Sequence, residues 1–314
     1  MTITKSLLGA ISICTAVFMS GCGGGGSSSG GNSGLPALDV PAAEATQANG
    51  EEAVDTILGM DGYASGIGFL SASSSESSKG FDLVSFGIEQ GKRLQSADLS
   101  YALNASDSYT YDCYDSGSIS YSVSYSSSSV SGTITYDHCV EYGVAMNGQI
   151  KMSETGDLEN YVLDTLAESF TTDFTIDYGD SVYTIHKGTY IDYDFSTFDY
   201  WNDVDAGVVK SSLWISYGDL NYRYDDLTVG FEDDYYYGEF TRCYKAGRIY
   251  VNNLSGYLDI DSTYDSSCSD PFVWDYYNSY GLVSGSMELV GSNETRVHVE
   301  VTATNTIEVT TSAN

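Results

Sequence analysis

The sequence predicts an all-β protein built as an antiparallel meander, on three observations. Apolar and polar residues alternate with a period of two in run after run beyond residue 98, as in Ser118-Ile-Ser-Tyr-Ser-Val-Ser-Tyr, where serines separate Ile119, Tyr121, Val123 and Tyr125. Turn signals divide the runs at Asn147-Gly148, Gly179-Asp180 and Gly218-Asp219. Only three prolines occur in 314 residues, and none interrupts a strand pattern. Such strands leave one face wet and must bury the other, either by doubling over into a sandwich or by curling into a half-closed, barrel-like sheet.

The chain opens with Lys5 and a mostly apolar run over residues 7–18, too short to span a bilayer as a helix. Residues 1–21 therefore read as a signal peptide. Residues 22–35, rich in Gly, Ser and Asn, read as a flexible tether. Ser20 and Gly21 directly before Cys22 resemble the lipobox of bacterial lipoproteins, with Met19 where Leu is usual. That resemblance implies a diacylglycerol thioether on Cys22, which cleavage makes the first residue. It also implies a membrane anchor through several acyl chains, each buried methylene contributing roughly 0.8 kcal/mol. Gly23 in place of Asp fits, by the same resemblance, sorting to the outer membrane of a Gram-negative cell, with the periplasmic or cell-surface side left open.

Residues 36–97 read as a short helical and loop region. Pro41-Ala-Ala-Glu-Ala-Thr-Gln and Glu51-Glu-Ala-Val-Asp-Thr-Ile-Leu are expected as two short helices, the second entered at Asn49-Gly50 and stopped by Gly59. Residues 59–80 are Gly/Ser-rich loop, and residues 81–94 carry a broken helical pattern around Gly87 and Gly91. From about residue 98 the period becomes two. Further strands are expected at Gly132-Thr-Ile-Thr-Tyr, Asp173-Phe-Thr-Ile-Asp-Tyr, Ser212-Leu-Trp-Ile-Ser-Tyr, Gly256-Tyr-Leu-Asp-Ile-Asp and Arg296-Val-His-Val-Glu-Val-Thr. Their outward positions are Ser, Asp and Thr, which argues against a barrel set in lipid.

The sequence also echoes itself. Cys113-Tyr-Asp-Ser-Gly117-Ser-Ile119 precedes Cys139, and Cys243-Tyr-Lys-Ala-Gly247-Arg-Ile249 precedes Cys268. Met146-Asn-Gly148-Gln-Ile-Lys-Met then matches Val283-Ser-Gly285-Ser-Met-Glu-Leu. A duplicated β unit over residues 98–235 and 236–314 is the simplest account. Once Cys14 leaves with the leader and Cys22 is set aside, four cysteines remain, an even count that reads as two disulfides in an exported protein. Cys113 with Cys139 and Cys243 with Cys268 is the simplest pairing, and pairing between the repeats is the alternative. This order of Cys, Gly, strand, Cys and Asn-Gly strand, with Gly247-Arg-Ile-Tyr and Gly256-Tyr-Leu-Asp-Ile, is similar to that of uncharacterised β-rich lipoproteins of gammaproteobacteria. The resemblance assigns no activity to any residue.

Composition narrows the function classes. With 42% hydrophobic and 13% aromatic residues the chain has ample material for a core. Removing Lys5 with the leader takes the formal charge from −32 to −33, which argues against nucleic acid as a partner and against adsorption to anionic lipid. There is no Gly-x-Ser-x-Gly, no His-Glu-x-x-His and no phosphate loop; Gly87-Ile-Glu-Gln-Gly91-Lys92 falls one residue short of the last. Three histidines, His138, His186 and His298, offer little for zinc or for a general base, and Cys139 beside His138 is expected to be oxidised. The carboxylates are too numerous to single out a glycosidase pair. The expectation is a protein that is not an enzyme.

Two clusters carry the binding candidates. Asp192, Asp194, Asp199, Asp203 and Asp205 offer hard oxygen ligands for Ca2+, the first two on one strand face, with Asp259 and Asp261 as a second such place. Tyr235, Tyr236, Tyr237, Trp274, Tyr276, Tyr277 and Tyr280 offer an aromatic platform for a glycan or an envelope protein. A membrane-anchored envelope lipoprotein with a binding or structural role is the reading this supports. A carrier of an apolar ligand in a half-closed sheet is the rival.

Overall fold

The structure, a computed structural model, describes residues 34–64, 106–126, 128–157, 162–179, 182–197, 204–234, 236–264, 267–275, 277–279 and 281–312. Cys22, the tether up to residue 33 and the helix expected over residues 81–94 lie outside these residues. Within them, one helix, α1 (Gln47–Ala64), accompanies a long antiparallel meander. It begins with β1 (Ser106–Asp112), β2 (Ser116–Ser126), β3 (Ser129–Glu141) and β4 (Val144–Asp157), each paired with the next. The strands β5 (Val162–Phe170) and β6 (Phe174–Asp177) then run end to end along β4, and β7 (Val182–Ile185) and β8 (Tyr190–Thr197) return beside them. The meander continues through β9 (Val204–Tyr217), β10 (Leu220–Asp234) and β11 (Glu239–Val251). The broken-strand arrangement recurs where β12 (Gly256–Ile260) and β13 (Phe272–Asp275) follow β11, and β14 (Gly281–Ser284) and β15 (Ser286–Val290) return. Finally β16 (Arg296–Ala303) and β17 (Thr306–Ser312) close the order.

The meander is thus as the alternation predicts, and among the described residues no pairing joins β1 to β17: the strands form a meander sheet and not a clean barrel. One connected hydrophobic core runs along its inner face, from Ile119 and Tyr121 through Ile150, Phe174 and Leu213 to Leu258 and Val299. The helix packs on β10, β11, β12, β16 and β17 through Ala53, Val54, Ile57 and Leu58, all buried. Burying a side chain such as Ile57 or Leu58 contributes about 2 kcal/mol. Thr46 caps this helix, its hydroxyl accepting the Asn49 amide at 3.2 Å.

Two sequence expectations change here. The stretch over residues 41–46 is extended, not helical, and only Gln47 of the expected first helix is helical, as the start of α1; Ala43 N–H donates to Tyr257 O and Ser292 N–H to Ala43 O, at 2.8 and 2.7 Å, so the backbone finds partners outside itself. Gly59 does not stop α1, which continues to Ala64. The two Cys-Tyr-x-x-Gly-x-Ile motifs differ in local structure, the first spanning the turn between β1 and β2 and the second lying wholly inside β11. What recurs in space is the pair of broken strands after β4 and after β11. Both within-repeat disulfides are present, Cys113–Cys139 and Cys243–Cys268, with Cα atoms 5.5 and 5.6 Å apart. No described helix is long and apolar enough to cross a membrane.

Candidate functional site

Consecutive turns of a meander fall at alternate ends of the sheet, so the β10–β11 and β13–β14 turns share an end. There Glu239 pairs with Asp275, bringing the two turns side by side. Tyr236 and Tyr237 are 69% and 65% exposed, with ring centroids 4.9 Å apart, and Tyr277 is 61% exposed. The Tyr277 ring lies against Gly238, close enough that an added Cβ there would meet it at 2.8 Å. Turn carboxylates hold the backbone beneath: Asp234 accepts the Tyr237 amide at 2.9 Å, and Asp275 accepts those of Tyr277 and Asn278. Hydrogen bonds from the Asn278 amide, ahead of other donors, lower the pKa of Asp275. Tyr235, Tyr276 and Tyr280 lie outside the described residues. Trp274 is a correction, since it is 3% exposed on the inner face opposite Phe240 and belongs to the core.

The opposite end carries an aromatic pair that the sequence reading passed over. Tyr114 and Tyr142 are 76% and 74% exposed and stacked, with centroids 5.3 Å apart and planes 14° from parallel. Their turns are braced by the Cys113–Cys139 disulfide and by two hydrogen bonds, Asp115 N–H to Val140 O and Gly143 N–H to the Asp115 carboxylate. The signal available in the sequence was Tyr142-Gly143 at a hairpin turn and Tyr114 beside a cysteine. Only the β1–β4 topology brings them together.

The acidic candidates separate. Asp192 and Asp194 share the outer face of β8, where Asp192 faces Lys210 across β9 and Asp194 faces Val208. Burial raises the pKa of Asp192, against the opposing pull of Lys210. Asp205 is an odd number of residues from Lys210 on β9 and so projects to the other face, opposite Asp233. Asp199 and Asp203 lie outside the described residues. In the second place, Asp259 pairs with Arg248 at 2.9 Å and Asp261 is engaged by Arg296. Hydrogen bonds from Thr263 first, then Arg296, hold Asp261 down at about 2. The one grouping of soft and hard ligands among the described residues, Cys113, Cys139 and Glu141, has both sulfurs committed to the disulfide.

Folding also assembles an Asp, a His and a Ser. His186 Nε2 lies 2.6 Å from Ser216 Oγ, and its Nδ1 lies 3.6 Å from Asp173. The spacing resembles a nucleophile and its base, so the proton positions decide. Trp214 Nε1–H, which only donates, points at Asn221 Oδ1 from 3.2 Å and so fixes which amide atom is oxygen. Ser216 Oγ lies 2.7 Å from the same oxygen and must donate to it. His186 Nε2 is then the donor to Ser216, the reverse of a base that takes the serine proton. Burial lowers the pKa of His186, with Asp173 opposing. Its ring lies tilted over Trp214, with centroids 4.1 Å apart. These residues form a structural chain of hydrogen bonds on the outer face.

His138, 84% exposed in its side chain, contacts Asp137, while His298 lies beside Tyr264 and Glu300. No family model, curated protein or solved structure matches the chain.

Proposed function

We propose that this chain is a lipid-anchored envelope protein that binds an envelope glycan, without catalysis, through the paired hairpin turns of β10–β11 and β13–β14. The observation that carries the reading is that Tyr236, Tyr237 and Tyr277 stand exposed on two adjacent turns, while the neighbouring Trp274 is withdrawn into the core. Rings held on a rigid sheet lose little conformational freedom when a flat, partly apolar partner stacks on them. A sugar ring, with its CH face and its hydroxyls, meets both the tyrosine faces and the Asp and Asn side chains of the same turns. The anchor follows from the resemblance of residues around Cys22 to a lipobox.

The test has two arms. Cys22→Ser should move the protein from the membrane fraction to the soluble fraction, and an unchanged distribution overturns the anchor. For binding, purified envelope polysaccharide should retain the full chain and lose it when Tyr236, Tyr237 and Tyr277 are replaced by Ala together. Equal retention of both overturns the turn surface, and retention on envelope protein alone replaces the glycan with a protein partner.

A further inference from the structure

The end of the sheet bearing Tyr114 and Tyr142 has an electrostatic setting of its own. Residues 106–149 contain no lysine or arginine, while Asp107, Asp112, Asp115, Asp137 and Glu141 lie among them. Asp112, Asp115 and Asp137 are exposed, and they flank the two turns that carry the rings. A stacked pair of tyrosines therefore stands among carboxylates, with His138 against Asp137 in β3 and Lys151 farther along β4 as the basic groups of its own strands.

The backbone beneath Tyr142 adds an independent observation. Tyr142 and Gly143 have φ of 52° and 80°, so residues 141–144 form a two-residue hairpin turn with both central residues left-handed. Asn-Gly is the favoured pair there, and a bulky aromatic at φ above zero is strained. The ring does not offset this by burial, being 74% exposed, and it gains only its stack on Tyr114. Strain kept at an exposed, disulfide-braced position points to use of the side chain itself.

We propose that Tyr114 and Tyr142 form a recognition platform for a basic segment of a protein partner, taking an arginine or lysine side chain over the exposed ring faces. The quadrupole of each ring attracts the cation, and the surrounding carboxylates supply charge complementarity. This surface is separate from that of Tyr236, Tyr237 and Tyr277, because the β3–β4 and β10–β11 turns fall at opposite ends of the meander. It stands or falls independently of the glycan reading.

The full chain would be titrated by calorimetry with a nona-arginine peptide at near-physiological salt. A paired Tyr114→Leu and Tyr142→Asn variant should lose on the order of 5- to 30-fold in affinity, while Tyr236→Leu with Tyr237→Leu changes it less than twofold. Tyr142→Asn alone should melt no lower than the parent, since Asn suits the left-handed turn position. If that variant fails to fold, Tyr114→Leu alone should still lose about two- to fivefold. Equal losses at both ends would reduce the effect to nonspecific attraction by an acidic protein and overturn the proposal, as would no loss at either. Tyr114- and Tyr142-dependent binding of cellohexaose, with the peptide indifferent to both substitutions, would also overturn it.

Discussion

Arg242 grips Asp233 across β10 and β11 with both guanidinium arms, in a place where neither side chain is more than 7% exposed. The pair lies against the Phe231 ring, 5.7 Å from the guanidinium carbon. Two charges withdrawn from water are tolerated because each satisfies the other, so removing one is worse than removing both. Asp233→Ala should cost about 3–5 kcal/mol in urea unfolding, whereas Arg242→Met with Asp233→Leu should lie within about 2 kcal/mol of the parent. A single and a double variant of equal stability would refute this account.

Glu168 gives a pH dependence whose sign is opposite to that of most carboxylates. It is 4% exposed, and Glu154 lies buried on the same face one diagonal away, through the pairings Met152 with Glu168 and Glu154 with Leu166. Burial first, then the Glu154 charge, raises the Glu168 pKa well above the usual carboxylate range. A raised carboxyl binds its proton more tightly folded than unfolded. Its stabilisation is therefore complete below the unfolded value of about 4.3 and is lost as pH rises through the folded one. Asp261, held near 2, acts in the other direction only in stronger acid. Glu168 should therefore add stability on acidification from neutral pH, against His186, whose lowered pKa acts in the opposite sense, and Glu168→Gln should remove that contribution from the slope. A slope unaltered by the substitution would exclude Glu168 as its source.

Gly285 lies at the break between β14 and β15 with φ of 127°, and an added Cβ would stand 2.4 Å from Phe272 Cα. Gly148 repeats the arrangement against Phe174 in the first half, with φ of 139° and 2.8 Å. At Gly285 both the backbone conformation and the space are denied to any larger residue, so Gly285→Ala should cost at least about 2 kcal/mol. Gly34→Ala, where nothing lies within 4 Å, is the control expected to be neutral in the same thermal melt.

The disulfide from Cys243 to Cys268 ties the connection between β12 and β13 to β11, closing a sequence separation of 25. Chain entropy for a loop of that length corresponds to about 3.5 kcal/mol. Cys243→Ser with Cys268→Ser should lower stability by roughly that amount and leave the β circular dichroism in place. Thiol titration of the unfolded parent, finding none of Cys113, Cys139, Cys243 and Cys268 free, checks the bridges directly.

The strands were legible because alternation is a local property: Ile119, Tyr121 and Val123 declare their face without reference to anything distant. The disulfides followed from the paired motifs. The sequence did not disclose that residues 41–46 would be extended, because their helical composition is overruled by a partner, Tyr257, more than 200 residues away. Trp274 was misassigned for a similar reason. It reads as one of a run of surface aromatics, yet the alternation of Phe272 and Trp274 on β13 turns both inward. The Tyr114–Tyr142 pair depends on two turns meeting, which no local pattern encodes.

Arg223 shows how that distant N-terminal segment is held. Its side chain is 1% exposed, lies between the Trp214 and Tyr250 rings at 5.4 and 4.9 Å, and forks onto Asp225 with bonds of 2.8 and 2.7 Å. The same Nη2 donates to Pro36 O at 2.7 Å, so one guanidinium joins the outer face of the sheet to the segment that precedes α1. Tyr250 completes the cluster by donating to Asp225 at 2.8 Å, and burial together with that bond pushes its phenol up to about 12. A lysine keeps the charge but has no planar fork, so it cannot serve Asp225 through two nitrogens and Pro36 at once. Arg223→Lys should therefore cost about 2 kcal/mol and speed Glu-C cleavage after Glu44, while the β core keeps its spectrum. Unchanged cleavage would mean that the backbone bonds of Ala43 to Tyr257 and Ser292 hold the segment without help from Arg223.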